Sequence, residues 1–349
     1  MADGSMQSVS TLNTRYSRQT ILPQIGKQGQ EKLRASTIAI AGVGALGSAM
    51  AEMLARAGVG TLRLIDRDYL ELHNLQRQSL YTEADVESGL PKAAAAARRI
   101  GEINSEVIAQ PLVRDITSEN VLELIEGANV VLDGTDNLQT RYLLNDACIH
   151  LGLPWVYSGV IGVTGVSLTI VRGETPCLQC LHPNPPLPGT LETCDVAGVL
   201  GPAAHAIAAI AAAEAIKLIV GGAPARGYLV ADMWAGLWDR FEVPINPECV
   251  ACGQRRFGYL NADVLGRDAV QLCGRDAVQL RLSGGKIDLP GLAARLKLGN
   301  IGQVLDNEYL VRLRTDRHEL TVFPDGRVIV KGTDDPAMAR SLVARYIGT

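Results

Sequence analysis

Several sets of residues in this 349-residue chain have types and spacings that can do chemistry. Gly42, Gly44 and Gly47 form a G-x-G-x-x-G run, with Ala45 between them. Such glycines let backbone N–H groups close on an anion at a helix N-terminus. Asp66 follows at about 20 residues' distance, where a carboxylate commonly takes a ribose hydroxyl. The pattern points to a nucleotide and leaves NAD, FAD and ATP open. The polar run 73–78 holds Asn74 and Arg77. Arginine presents a rigid fork of donors for phosphate, although a polar loop alone would account for the run. Lys92 falls in the first turn of an expected helix, where the dipole is already positive. It must either stretch into solvent or meet an anion. Asp133 and Asp136 stand at the end of an expected strand, suited to Mg²⁺ or a phosphate side; the alternative is helix N-capping by Asp136 or Asn137.

Seven cysteines are present. Cys177-x-x-Cys180 and Cys249-x-x-Cys252 can give four thiolates to one tetrahedral Zn²⁺, a structural site with no position left for catalysis. Paired spacing in an α/β chain favours metal over disulfides. Cys194 has no partner at close spacing and follows a Pro- and Gly-rich loop, Pro183–Gly189. It reads either as a nucleophile or as a small residue at a helix start.

The elements that must position these groups follow from hydrophobic pattern. Thr37–Ala41 and Thr61–Ile65 are short apolar runs and read as buried strands. Between them Ala49–Ala57 has helical spacing and Gly58 is its stop. Pro91 suits the first position of a helix running through Ile100. Val107–Leu112 and Ala128–Leu132 are further strands, and Leu138–Leu151 is a helix. Trp155–Tyr157 and Gly165–Val171 start a more antiparallel region. Tyr228–Met233 and Leu237–Val243 close it, with Trp234 and Trp238 expected to cap the core. Beyond 257 a tandem copy appears: Gly-Arg-Asp-Ala-Val-Gln-Leu at 266–272 recurs at 274–280. A small α+β pattern follows, with a hairpin turn at Asp325-Gly326.

The expected fold is an α/β, Rossmann-like mixed sheet with helices on both faces and a structural zinc clamp, plus a small C-terminal α+β domain. Residues 1–14 read as a disordered lead-in, 15–257 as the nucleotide- and zinc-binding domain, and 258–349 as the small domain. The chain is 47% hydrophobic and 20% charged, a globular composition. Its net charge of −4 and pI near 5.8 argue against nucleic acid or an anionic membrane as partner. Met1–Thr14 lacks an apolar signal region. Ala203–Val220 carries His205, Glu214 and Lys217, which suits a buried or dimer-facing helix better than a membrane span. A cytoplasmic location is expected.

In order, Arg15-Tyr-Ser-Arg18-Gln, Gly42 to Gly47, Asn74-Leu-Gln-Arg77-Gln, Pro91-Lys92, Asp133-Gly-Thr-Asp136-Asn137, the two cysteine pairs and Thr193-Cys194 resemble the MoeB/ThiF adenylyltransferases, relatives of ubiquitin-activating enzymes. The resemblance covers roughly residues 15–253. It implies a homodimer with a Mg²⁺·ATP site in each subunit. The implied substrate is a small ubiquitin-like sulfur-carrier protein whose C-terminal Gly-Gly carboxylate attacks the α-phosphate. Pyrophosphate leaves, and the acyl-adenylate serves sulfur incorporation in cofactor or tRNA biosynthesis. Carried over by position, Gly42, Gly44 and Ala45 line the nucleotide and Asp66 holds the ribose. Asn74, Arg77 and Lys92 grip the phosphates, and Asp136 with Asn137 serves Mg²⁺. Arg18 reaches into the neighbouring subunit's site. Cys194 matches a cysteine that some relatives use covalently, and Cys177, Cys180, Cys249 and Cys252 bind Zn²⁺. The triphosphate would then be the anion that Lys92 requires.

Ala45 stands where close relatives often have Gly. The C-terminal unit is not the rhodanese domain of some longer members, so a separate sulfur donor is expected. Two rival readings differ in class. An NAD-dependent oxidoreductase explains the glycines and Asp66 but leaves Arg18, Arg77, Lys92 and the cysteine pairs without a task. A non-catalytic zinc-clamped scaffold is opposed by the intact polar set.

Overall fold

The computed structural model describes residues 15–185, 194–261, 269–272, 276–282 and 286–348. The expected lead-in, Thr193, most of the 183–189 loop and Cys273 lie outside the described residues. The chain divides into two units, one of Met1–Val86, Pro91–Cys194 and Val199–Val264, the other of Glu87–Leu90, Asp195–Gly198 and Leu265–Thr349.

The first unit is built on an eight-stranded sheet of β1 (Thr37–Ala41), β2 (Thr61–Ile65), β3 (Ile108–Leu112), β4 (Val130–Asp133), β5 (Trp155–Ile161), β6 (Thr164–Ile170), β7 (Tyr228–Asp232) and β8 (Leu237–Phe241). The spatial order is β3-β2-β1-β4-β5-β6-β7-β8. Strands β1 to β5 run parallel, and β6, β7 and β8 are antiparallel additions. The chain leaves β1 toward β2 and β3, then returns to β4 on the other side. That reversal makes the carboxyl ends of β1 and β4 a topological switch point, the place where open α/β sheets bind ligands. The main helices of this unit are α1 (Gly26–Arg34), α2 (Ala45–Ala57), α3 (Lys92–Ile103), α4 (Leu138–Leu151) and α5 (Gly201–Val220). Strand β1 is apolar from Ile38 to Ala41 because helices cover both its faces, and all four residues are fully buried.

Helix α5 meets the length and composition of a membrane span, with 39% of its apolar window buried. Its alanines Ala203, Ala204, Ala208, Ala211, Ala212 and Ala215 are buried, and the helix packs on α1, α2, β5 and β6. Small side chains allow that close approach, so α5 is a core helix of this unit.

Local signals place most elements within a residue or two, with informative exceptions. Helix α2 begins at Ala45, four residues before its apolar spacing becomes regular, and Gly58 ends it at φ +81°. Pro91 stands one place outside α3, as its N-cap, and the helix runs on to Ile103. Trp234 is 81% exposed and Trp238 48% exposed, so neither caps the core. Strand β8 is the open edge of the sheet and all five of its residues are exposed. Among the described residues no layer covers either face there, and Leu237, Trp238 and Phe241 are exposed.

The second unit holds a six-stranded antiparallel sheet of β9 (Ala269–Leu272), β10 (Ala277–Arg281), β11 (Gln303–Asp306), β12 (Val311–Arg314), β13 (Glu319–Val322) and β14 (Arg327–Lys331), with α6 (Leu289–Leu298) and α7 (Pro336–Tyr346). The order is β11-β12-β13-β14-β10-β9. Val278, Leu280, Leu313, Leu320, Val328 and Val330 share one core with Leu292 and Leu296 of α6 and Leu342 and Val343 of α7. The two Ala-Val-Gln-Leu copies become β9 and β10 and pair with each other, Ala277 opposite Leu272 and Leu280 opposite Ala269. The duplication therefore adds a strand to the sheet edge.

Candidate active site

The glycine turn is a three-way backbone contact. A Cβ on Gly47 would stand 1.9 Å from the Gly42 carbonyl oxygen, and one on Gly134 would stand 2.4 Å from the same oxygen. Gly42 itself adopts φ +83°. The end of β1, the first turn of α2 and the end of β4 thus touch through residues that can carry no side chain. Gly134 is outside the G-x-G-x-x-G run, and its role is visible only in the fold. Gly44 caps α2 and Ala45 is its first residue.

Asp66 closes the turn from the β2 side. Its Oδ2 accepts from the Val43 N–H at 2.7 Å and its Oδ1 from the Asp68 N–H at 2.7 Å. Each oxygen keeps a second acceptor direction, the one a ribose hydroxyl would use. Burial raises the Asp66 carboxyl above its ordinary range, and the nearby Lys92 charge works against that rise.

Lys92 is only 5% exposed. Its Nζ lies 3.2 Å from Asp68 Oδ2, and its backbone N–H donates to the Asp68 carbonyl at 2.9 Å. The lysine is therefore neither stretched into solvent nor dependent on a triphosphate alone; the protein supplies an anion of its own. Arg67 continues the network. Its guanidinium meets both oxygens of Asp115 at 3.0 and 3.1 Å and lies 3.9 Å from Asp68. Burial opposes the Arg67 charge, and the carboxylates of Asp115, Asp68 and Asp136 more than offset it. Lys92, Asp68, Arg67 and Asp136 thus share one field. Arg67 and Asp68 carry no motif; their one signal is adjacency to Asp66 at a strand end.

The 74–81 segment is stitched to this turn. Asn74 is buried, and its Oδ1 accepts from the Glu71 N–H at 3.0 Å, closing a short 3₁₀ turn at Leu72–Asn74. Arg77 donates to the His73 carbonyl at 2.9 Å. The Tyr81 hydroxyl donates to the Val43 carbonyl at 2.7 Å, with the Lys92 carbonyl 3.2 Å away. Tyr81 thereby joins the glycine turn to the start of α3.

At the end of β4, fully buried Asp133 accepts from the N–H and O–H of Thr135 at 2.9 and 2.7 Å. Burial pushes its carboxyl up, and Arg141, 3.3 Å away, opposes this. Arg141 also donates to the carbonyls of Thr135 and Ser158 and lies over the Tyr157 ring. It ties the start of α4 to the ends of β4 and β5. Asn137 is the N-cap of α4, accepting from the Thr140 N–H at 2.8 Å. That settles the capping role on Asn137, and Asp136 is exposed beside it.

Arg18 is exposed in a helical turn, Ser17–Thr20. Tyr16 packs on Gly58 and accepts from Asn104, and Gln19 donates to the Ala57 carbonyl at 2.8 Å. This segment is therefore tied to the C-terminal end of α2. Thirteen residues of helix put the glycine turn about 20 Å away. Cys194 begins the helical turn Cys194–Ala197, and its side chain lies outside the described residues.

The four sulfurs of Cys177, Cys180, Cys249 and Cys252 lie within 4.8 Å of one another. The Cys177–Cys249 and Cys180–Cys252 separations are 3.5 and 3.3 Å, close to the edge of a tetrahedron with Zn–S near 2.3 Å. The donor set fits Zn²⁺. Helix α4 holds the first knuckle: Asn145 accepts from the Leu178 N–H, and Asp146 accepts from Gln179 and from the Tyr259 N–H. The helix capped at the crevice by Asn137 therefore also braces the cysteine cluster. Cys177→Ser is expected to take bound zinc from one per chain toward none and to lower the thermal midpoint by roughly 10 °C or more. Atomic absorption and calorimetry check this; an unchanged midpoint after metal loss would contradict a structural role.

A family model described as the ThiF family matches residues 16–251. The sulfur carrier protein ThiS adenylyltransferase of Bacillus subtilis is 43% identical over 339 residues, which is 96% of this chain and 99% of that protein. A sulfur carrier protein adenylyltransferase of Thermus thermophilus is 39% identical over 246 residues, 68% of this chain and 90% of that protein. Among solved structures, E. coli MccB with MccA-N7isoASN shares the fold, with a TM-score of 0.62 at 24% identity over 69% of this chain and 75% of that one. The Bacillus match continues through the second unit, so the similarity extends well past residue 253.

Proposed function

The chain belongs to the ThiF family, and from that premise we propose that it adenylates the C-terminal Gly-Gly carboxylate of a small ubiquitin-like sulfur carrier. The full-length match to a relative named for ThiS favours a carrier of that kind. The relatives named above are adenylyltransferases and lend the NAD and inert-scaffold readings no support.

The observation that carries the reading is the junction of Asp66, the glycine turn and Lys92 at the β1/β4 crevice. A carboxylate is already ionised, so its attack on the α-phosphate needs no general base. The obstacle is charge: one anion must approach a polyanion, and pyrophosphate must leave with more. Preorganised positive groups lower that barrier. The N-terminus of α2, Lys92 and Arg77 supply them, and Asp66 anchors the ribose. Lys92 reaches this task already held by Asp68, so it exchanges one anion for another rather than folding in from solvent. Asp136, beside Asn137, would hold Mg²⁺, which when bound neutralises charge on the phosphates. Sulfur then comes from a separate donor protein in the cytoplasm.

The enzyme acts as a homodimer in which Arg18 serves the partner's site. The support is its anchoring at the far end of α2, beyond reach of its own glycine turn. In carrier-dependent ATP–pyrophosphate exchange, Arg18→Ala and Lys92→Ala should each be nearly inactive alone. Mixing the two after subunit exchange should restore activity, because one site of each mixed dimer has both residues. No restoration would place Arg18 in its own subunit's site, and no carrier-dependent exchange in the wild type would end the adenylation reading.

A further inference from the structure

The second unit takes in two short segments of the earlier chain, Glu87–Leu90 and Asp195–Gly198. Leu90 directly precedes Pro91-Lys92, and Asp195 directly follows Cys194. The first segment is held by specific contacts. Gly89 is buried at φ +63°, a conformation that favours glycine. Its carbonyl accepts from the Asn307 Nδ2 at 3.3 Å. A Cβ on Gly89 would stand 2.6 Å from the Leu305 Cδ2, so the glycine backbone lies against that side chain. Val304 packs into the core that α6 and α7 cover, and Leu305, the next residue of β11, turns to the sheet's other face.

Asn307 is itself fixed. Its Oδ1 accepts from the N–H groups of Tyr309 and Leu310 at 2.9 and 3.0 Å, and its own N–H donates to the Leu310 carbonyl at 3.0 Å. With the side-chain oxygen committed to the turn between β11 and β12, the amide's donors are left for Gly89. At the other end of the link, the Lys92 N–H donates to the Asp68 carbonyl, and Pro91 bridges to Tyr69. The chain into α3 is therefore held at Gly89 within the second unit and at Lys92 within the first. Only Leu90 and Pro91 lie between, and the proline ring fixes one of the dihedrals. So short a link has little slack, and a shift at Gly89 is passed on to Lys92.

We infer that the second unit sets the lysine that serves the reaction, and that Asn307 is a positioning residue acting on Lys92 through Gly89, Leu90 and Pro91. The task given to Lys92 here rests on the adenylation reading. Asn307 touches no substrate. It holds the start of α3 where the Lys92 ammonium meets the phosphates, and displacing such a group by about 1 Å is costly in rate.

The test compares the full-length wild type with Asn307→Asp, Lys92→Ala and the double variant. Aspartate keeps the acceptor that closes the turn between β11 and β12 and removes the donor to Gly89. Carrier-dependent ATP–pyrophosphate exchange is measured on all four, and amide hydrogen exchange over residues 87–95 is followed by mass spectrometry. Asn307→Asp is expected to slow pyrophosphate exchange about tenfold and to speed amide exchange over 87–95 about tenfold. Where Lys92 is already Ala, the same change should cost less than about twofold, because the two act as one unit. A residue of purely structural importance would cost the same factor in both backgrounds. Equal losses, an unchanged pyrophosphate exchange rate, or unchanged amide exchange over 87–95 overturns the inference. Should Asn307→Asp fail to fold, Leu305→Ala takes its place with the same expected and contrary results. If the wild type shows no carrier-dependent exchange while Asn307→Asp still loosens 87–95, the adenylation reading fails and the second unit's hold on Lys92 stands.

Discussion

Replacing Lys92 with Ala is expected to cut carrier adenylation by roughly 10³-fold and also to weaken the fold. Most lysine substitutions at helix ends do little to stability. This side chain differs because it is buried and sits 3.2 Å from a carboxylate that is itself only 16% exposed. Removing the cation leaves Asp68 with a partly buried charge short of a counterion and takes away the field that restrains the Asp66 carboxyl. Breaking such a pair from one side costs up to about 3 kcal/mol. The catalytic loss has a different origin: in the proposed reaction Lys92 is the ammonium that stabilises charge passing from the α-phosphate to the leaving pyrophosphate. Exchange rates and thermal midpoints measured together separate the two effects. Activity within tenfold of the wild type would remove Lys92 from the reaction.

Gly134→Ala is expected to weaken ATP binding by about 100-fold or more and to destabilise the protein by about 2 kcal/mol. One methyl group at this position meets the Gly42 carbonyl oxygen at 2.4 Å and the Gly47 backbone nitrogen at 2.9 Å. Both obstacles are main chain, so no rotamer change relieves them. The end of β4 must draw back from β1, and the crevice between them changes shape. Gly101→Ala is the control. It lies within α3, a Cβ there meets nothing within 4 Å, and the substitution should stabilise the protein by about 0.5–1 kcal/mol. ATP calorimetry and denaturant titration on both variants check the contrast. Equal behaviour of the two would mean that the turn tolerates what its geometry excludes.

The contrast between these glycines shows which features are legible in a sequence. Strands β1 and β2 match their apolar runs residue for residue, and α4 matches its pattern with Asn137 as cap. Each of those signals is local. The cysteine cluster was legible because two C-x-x-C spacings state the ligand geometry directly, and four sulfurs do converge. Gly134 was not, because its need for a missing side chain comes from Gly42, a residue distant in the chain. Lys92 was half legible: its conflict with the helix dipole demanded an anion, but nothing in the spacing named Asp68. Trp234 and Trp238 misled because hydrophobicity implies burial, whereas strand order puts β8 at an open edge.

The central claim is that positive groups at the mouth of this sheet hold a nucleoside triphosphate while a peptide carboxylate attacks its α-phosphorus. The most direct measurement follows label from ATP carrying it at either the α- or the γ-phosphorus, in the presence of a Gly-Gly-ended carrier. The expected result is α-label on the carrier as a hydroxylamine-sensitive adduct, with γ-label found only in pyrophosphate. Transfer of γ-label to the carrier, with ADP as the product, would contradict it.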